Sequence, residues 1–341
     1  MVEVDLDELR RRLYGAPGGP VTDVTALAGG ASGFTFRGAR AGKPVVVKVA
    51  PPGVEPIGHR DVLRQARILK ALGGTRVPVP EVVWEDPGSP PHTPPLFVMS
   101  HVDGDSVEPL FDGCPPTSDL VERYRNACRA MAGLHSLSPI DLGLGGEPVI
   151  DPVSEVQRWC DTLQTVDAAL VPDWQSVRDA LLSCAPTGMG PSLVHGDFRL
   201  GNLMAVGAHI NAVIDWEIWS IGDPRVDAGW FLVNCDPDTY QRVPASSGVA
   251  PPTAELAKIY QHELGHEVAD LAWFTALACF KSAATWSLIV KHNRRRRSPR
   301  AEWEAMVPTL PKLLARARSM LDCPVPPRAV ARPASSPDGM D

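Results

Sequence analysis

Apolar residues in the first hundred positions alternate with polar ones. Residues 21–27, 34–36 and 43–50 carry β-branched and aromatic runs broken by Gly and Pro, which predicts strands joined by hairpins. Val62, Ala66, Leu69 and Leu72 instead recur at helical spacing, and Gly73–Gly74 stops the helix they predict. Residues 82–84 and 96–99 predict two more strands, linked by a proline-rich surface loop over 87–95. Past His101 the period changes. Leu120, Tyr124, Ala127, Met131 and Leu134 lay one stripe along a helix of about five turns. Further helices are predicted over 153–166, 174–184, 254–264, 271–290 and 303–321, with short strands at 193–195, 203–206 and 212–214. The layout is α+β: a small β-rich lobe over 1–101, a larger, mainly helical lobe over 102–322, and a tail over 323–341 too rich in Pro to pack.

Composition narrows the class. A chain of 341 residues, 44% hydrophobic, can bury a sizeable core, and its net charge of −7 argues against nucleic acid or an anionic membrane as partner. Residues 271–290 are apolar enough to imitate a membrane span, but Lys281 at their centre favours a buried helix, so no membrane partner is expected. The seven cysteines form no C-x-x-C pair and read as reduced, mostly buried thiols; with an acidic N-terminus lacking an apolar signal core, they point to the cytoplasm.

The strongest chemical signal is LVHGDFRLGN at 193–202, followed by VIDWE at 213–217. Asp197 precedes Asn202 by five positions, the spacing of a kinase catalytic loop, and Asp215 follows a β-branched run where a metal-binding aspartate would lie. One carboxylate must orient the attacking hydroxyl and take its proton. An amide oxygen and a second carboxylate must hold Mg²⁺ against the phosphates. Gly29, Gly30, Ser32 and Gly33, one strand before Lys48, suit a phosphate cradle. His195 reads as a brace for the loop more readily than as a proton shuttle.

HGDFRxGN, IDWE and GDPxxD at 222–227 together resemble the aminoglycoside phosphotransferase/choline kinase family, whose fold is bilobal and protein-kinase-like. The likeness extends to Leu134-His135, to VPVP at 77–80 and to 260–273, and covers roughly residues 20–320. It implies ATP and Mg²⁺ as cofactors and a small-molecule hydroxyl as acceptor. Asp197 would be the base, Asn202 and Asp215 the metal ligands, and Lys48 the phosphate-pairing lysine. Met99 and His101 would belong to the adenine hinge, with His195, Arg199, Glu217 and Gln65 in support. One departure stands out: the family's Arg-Glu-Ala is Arg64-Gln65-Ala66 here, so Lys48 lacks its usual ion-pair partner unless Asp61 supplies one. A catalytically weak nucleotide-binding protein of the same fold is therefore the alternative.

A remoter alternative is a zinc metalloprotease, since His262-Glu-Leu-Gly-His266 matches H-E-x-x-H. Its longer extension fails, with Ala269 and Ala272 at the glycine and third-histidine positions. The acceptor is left open among aminoglycosides, macrolides, choline-like alcohols and hydroxyacyl compounds. Glu255, Glu263, Glu267 and Asp270 would suit a cationic aminosugar, although a solvated helix face accounts for them as well. Trp216, Trp219, Trp230 and Trp273 suit either packing or an acceptor pocket. Residues 243–253 read as a loop near it.

Overall fold

The computed structural model describes residues 4–27, 33–108, 117–240 and 249–321. The expected tail, the residues Gly29, Gly30 and Ser32, and most of the 243–253 loop lie outside them. Helix α1 (Leu6–Tyr14) precedes a five-stranded sheet of β1 (Val21–Ala26), β2 (Phe34–Arg40), β3 (Lys43–Val49), β4 (Val82–Asp86) and β5 (Leu96–Ser100). The order is β1-β2-β3-β5-β4 and every pair is antiparallel. In β3 the two-residue period sends Val45, Val47 and Val49 into a core shared with Leu9 and Leu13 of α1. Lys48 is thereby left on the opposite face, where α2 (Val62–Leu72) packs against β4 and β5. Helix α1 is an addition to the expected elements. Its signal is present in the sequence: Asp5 caps its first turn, and Leu9 and Leu13 bury one face.

The second lobe is mixed but mainly helical. It runs through α3 (Ser118–His135), β6 (Val149–Ile150), α4 (Pro152–Leu163), α5 (Trp174–Ser183), β7 (Ser192–Val194), β8 (Leu203–Val206), β9 (His209–Val213) and β10 (Ser220–Gly222). There follow α6 (Arg225–Cys235), α7 (Pro237–Tyr240), α8 (Thr253–Leu264), α9 (Leu271–Arg294), α10 (Ala301–Glu304) and α11 (Leu310–Ser319). The helix expected over 303–321 is broken, because Pro308 and Pro311 cannot donate mid-helix and a 3₁₀ turn, Val307–Thr309, joins the two pieces. Helix α9 is long and apolar enough to cross a membrane, yet 72% of its apolar window is buried inside this fold, against α4, α6 and α11. Cys128, Cys160, Cys235 and Cys279 are free and buried. Cys184 is disulfide-bonded, so the reading of every thiol as reduced does not hold there.

Two short sheets position the chemistry: β6-β10-β7, and the hairpin β8-β9. The segment leaving β5 is pinned to that hairpin by reciprocal backbone bonds between Asp105 and Ala205. The chain from the first lobe is thus delivered to the same place as the HGDFRLGN loop.

Candidate active site

The loop between β7 and β8 begins with a turn that only glycine fits. Gly196 has φ +86°, and a Cβ there would lie 2.7 Å from the Ile218 carbonyl oxygen. The turn is held from below by Asp227 of α6, which is wholly buried. Its two oxygens accept the backbone N–H groups of His195 (2.6 Å) and Gly196 (2.8 Å), and one also lies 3.3 Å from His135 Nε2. His135 Nδ1 in turn meets the Tyr260 hydroxyl at 2.7 Å. Burial alone would raise the Asp227 carboxyl; the hydrogen bonds from the His135 ring and from the His195 backbone N–H overcome this and hold it below the ordinary carboxylate range. GDPxxD at 222–227 thus supplies the floor of the loop, a role that the motif's spacing alone does not disclose.

His195 braces the loop. The Asp197 N–H donates to its Nδ1 at 3.1 Å, so the ring proton sits on Nε2, 2.9 Å from the Ile214 carbonyl that accepts it. That ring is fully buried and packs on Trp216, 4.5 Å between centroids, which leaves it no route to a substrate proton.

Asp197 lies at the cleft, with a quarter of its side-chain surface exposed. Its Oδ1 accepts from Trp230 Nε1 at 2.8 Å and its Oδ2 from Asn202 Nδ2 at 2.8 Å. Arg199 Nε is 3.2–3.3 Å from both oxygens, and the far end of that guanidinium pairs with Glu108. Burial works against the Arg199 charge, but the two carboxylates outweigh it and raise its pKa. With its amide nitrogen committed to Asp197, Asn202 has its amide oxygen as the end available to a cation.

Asp215 sits where the chain turns out of β9 with φ +65°, a left-handed conformation that Asp tolerates better than most residues. It is tied to Asn202 through the Ile214 N–H, which donates to the Asn202 carbonyl at 2.9 Å. Lys48 reaches across from β3: its Nζ lies 2.8 Å from Asp215 Oδ1 and 3.2 Å from Gln65 Oε1. Burial would raise the Asp215 carboxyl, but the Lys48 ammonium overrides it and keeps the pKa below the usual value. Asp61 does not stand in for the missing glutamate, because its carboxylate accepts the Arg64 N–H and caps α2. Gln65 itself therefore holds the lysine.

The structure brings Lys48, Asp197, Asn202 and Asp215 together, with Gln65, His195 and Arg199 around them. One amide oxygen and one carboxylate are hard donors of the kind that suits Mg²⁺. Among the described residues no cluster of three His, Cys, Asp or Glu side chains is placed to hold a metal. Glu217 is half-buried beside Trp216, Met99 is buried at the end of β5, and His101 follows it, 3.7 Å from Asp103. Gly33 lies against β3, where a Cβ would meet the Val49 carbonyl oxygen at 2.9 Å. Trp219 links the two lobes: Arg64 of α2 stacks on its ring at 3.9 Å and donates to its carbonyl. Trp216 and Trp273 are core residues, each donating to a backbone carbonyl. Trp230, by contrast, belongs to the site.

The zinc reading fails on geometry. Helix α8 ends at Leu264 and Gly265 turns left-handed, so His262 and His266 do not face one another across a helical turn. Three of the four acidic residues of that region are also engaged, Glu255 with Arg125, Glu263 with Arg129 and Asp270 with Arg225.

Residues 23–277 match a family described as the phosphotransferase enzyme family. Curated relatives include acyl-CoA dehydrogenase family member 11 of Homo sapiens, 28% identical over 285 residues, covering 79% of this chain and 36% of that protein. Member 10 of Mus musculus is 28% identical over 233 residues, 66% of this chain and 22% of that protein. The chain therefore spans about a third or less of these relatives' length. Among solved structures, a Ralstonia eutropha protein provisionally named an aminoglycoside phosphotransferase superposes with TM-score 0.71 at 23% identity, over 93% of this chain and 97% of that one. Aminoglycoside phosphotransferase APH(4)-Ia, in ternary complex with AMP-PNP and hygromycin B, superposes with TM-score 0.61 at 15% identity, over 92% and 97%. These likenesses give the fold, the bilobal α+β arrangement expected from the sequence.

Proposed function

The chain belongs to the phosphotransferase enzyme family, and from that premise we propose that it moves the γ-phosphate of Mg·ATP to a hydroxyl of a small molecule. The observation that carries this reading is the convergence of four side chains from two lobes: Lys48 on Asp215 at 2.8 Å, and Asn202 on Asp197 at 2.8 Å, the two pairs tied by the Ile214–Asn202 backbone bond. Asp197, partly exposed and held by three donors, orients the acceptor hydroxyl and takes its proton. Lys48 steadies phosphate oxygens, with Gly29, Gly30, Ser32 and Gly33 as cradle and Met99 to His101 as the adenine hinge. Asn202 and Asp215 hold Mg²⁺, which when bound neutralises charge on the phosphates. Arg199 adds a fixed positive charge beside Asp197.

Nucleotide use is supported by the solved neighbours in complex with AMP-PNP and, for the aminoglycoside 2′-phosphotransferase-IIIa, with GDP. The acceptor is narrowed by the ion pairing of α8: Glu255 and Glu263 already face arginines of α3, which removes the argument for a cationic aminosugar there. The names of the curated relatives put hydroxyacyl compounds on the acceptor panel beside hygromycin B and choline. A cytoplasmic location belongs to the same proposal, because the donor nucleotide is intracellular.

The test is release of ADP from Mg·ATP across that panel, by the full chain and by Asp197→Ala. Transfer to at least one alcohol is expected, falling by a factor on the order of 10³ in the variant while Mg·ATP binding is retained. An Asp197→Ala protein as active as the wild type would remove the base from this reading. A chain that binds Mg·ATP tightly and turns over nothing would instead support the weak nucleotide binder that Gln65 suggests.

A further inference from the structure

Helix α9 carries one ammonium into the middle of the fold. Lys281 is 3% exposed, and its hydrogen bond goes to a backbone carbonyl rather than to a carboxylate. A buried charge without an ion-pair partner is costly, so its surroundings must supply something in return. They supply a carbonyl and two indole rings, and two of these three contacts lead to Asp197. The ammonium donates to the carbonyl oxygen of Gly196, the residue just before Asp197. It also lies over the Trp230 ring, 3.9 Å from the centroid, with Trp159 at 5.4 Å. Trp230 Nε1 is the donor 2.8 Å from Asp197 Oδ1. The close approach that permits this is built into α6, where a Cβ on Gly229 would lie 2.4 Å from the Phe274 carbonyl oxygen of α9.

We propose that Lys281 is a positioning residue for phosphoryl transfer, fixing Asp197 from behind through the Gly196 carbonyl and the Trp230 indole. The chemistry is direct. A cation over the face of an indole draws on its π electrons and makes the Nε1–H a stronger donor. That N–H then sets one carboxylate oxygen while Asn202 sets the other, so the attacking hydroxyl meets Asp197 at one angle. Burial lowers the pKa of Lys281, and the carboxylates of Asp197, Glu155 and Asp227 work to keep it charged. The proposal rests on Asp197 being the base, and its test separates the two.

The first measurement is the indole ¹H–¹⁵N resonance of Trp230 in the full chain, identified as the signal lost in Trp230→Phe. Lys281→Met should displace it, as should Asp197→Asn; a resonance unmoved by Lys281→Met overturns the proposal whatever the turnover. The second is ADP release from Mg·ATP, with water or a panel alcohol as acceptor. Lys281→Met should lower kcat by a factor on the order of 10 to 100 while KM for Mg·ATP stays within about twofold, and Lys281→Arg should recover much of the loss. Loss of turnover and nucleotide affinity together, with a lowered melting temperature and no recovery in Lys281→Arg, would make Lys281 a packing residue and overturn the proposal. Full turnover in Asp197→Ala would remove the base while leaving the resonance test intact.

Discussion

The two walls of the cleft hold their charged and polar groups by different means. Below, Asp227, His135 and Lys281 are buried and fixed by several partners each, and the loop carrying Asp197 and Asn202 lies over them. Above, Lys48 has one carboxylate and one neutral amide, and Asp215 keeps 38% of its side-chain surface exposed. A charge fixed by burial is unforgiving, since removing one partner strands the others in a medium that cannot solvate them. A charge held at a solvated rim is tunable, because water and bound phosphate can replace a lost partner. The lower wall therefore carries the fold's stability as well as the geometry of the base, and the upper wall sets how nucleotide is gripped.

The sharpest way to break that contrast is one substitution on each side. Asp227→Ala removes the acceptor of two backbone N–H groups and of His135 and should cost about 3–5 kcal/mol, read as a fall in the urea midpoint at unchanged slope. Lys48→Met should change stability by less than about 1 kcal/mol, since its pair with Asp215 is partly solvated. The same variant should lower kcat/KM for Mg·ATP by a factor on the order of 10² or more. Equal destabilisation by the two variants would show that the walls are not built differently.

How much of this was legible depends on whether a feature is local. Asp197, Asn202 and Asp215 announce themselves because a tight loop and a hairpin fix their spacing, and β3 shows Lys48 opposite its valines by period two alone. Partners across the fold left no such trace. Lys281 is 85 positions from Gly196 and Trp230 is 33 from Asp197, and a lysine in an apolar helix gives no sign of what it touches. Helix α6 escaped the pattern for a related reason: RVDAGWFLVNC is buried on nearly all sides and shows no 3.6-residue stripe. The H-E-x-x-H motif misled for the opposite reason, since its spacing presumes a continuous helix and Gly265 ends that helix between the histidines.

A smaller effect sharpens the upper wall. Gln65 is 4% exposed and accepts from Lys48 at 3.2 Å without charge. Gln65→Glu would make that bond charge-assisted, roughly doubling its strength, and would draw the ammonium from Asp215, leaving that carboxylate to the metal. The expected outcome is tighter Mg·ATP binding by about fivefold, equivalent to about 1 kcal/mol, with little change in the urea midpoint. Weaker binding in Gln65→Glu would mean that the neutral amide is the better partner for this lysine and that the departure from Arg-Glu-Ala is an adaptation.

The smallest effect lies in acid and belongs to the lower wall. The Asp227 carboxyl is held below its ordinary value, because its hydrogen-bond donors outweigh its burial. Unfolding releases that hold, so between the two values the unfolded chain binds a proton that the folded chain refuses. The contribution of Asp227 is thus fully present above about pH 4, is lost as pH falls through its depressed value, and is gone below it. Asp227→Asn is less stable at neutral pH but has no such proton to take up. Urea unfolding of both proteins between about pH 6 and pH 3 should therefore show their midpoints converging as the solution is acidified. Every other carboxylate is common to both proteins, so the convergence isolates this one. A gap constant with pH would mean that the Asp227 carboxylate is not held in its charged form by the partners beneath the loop.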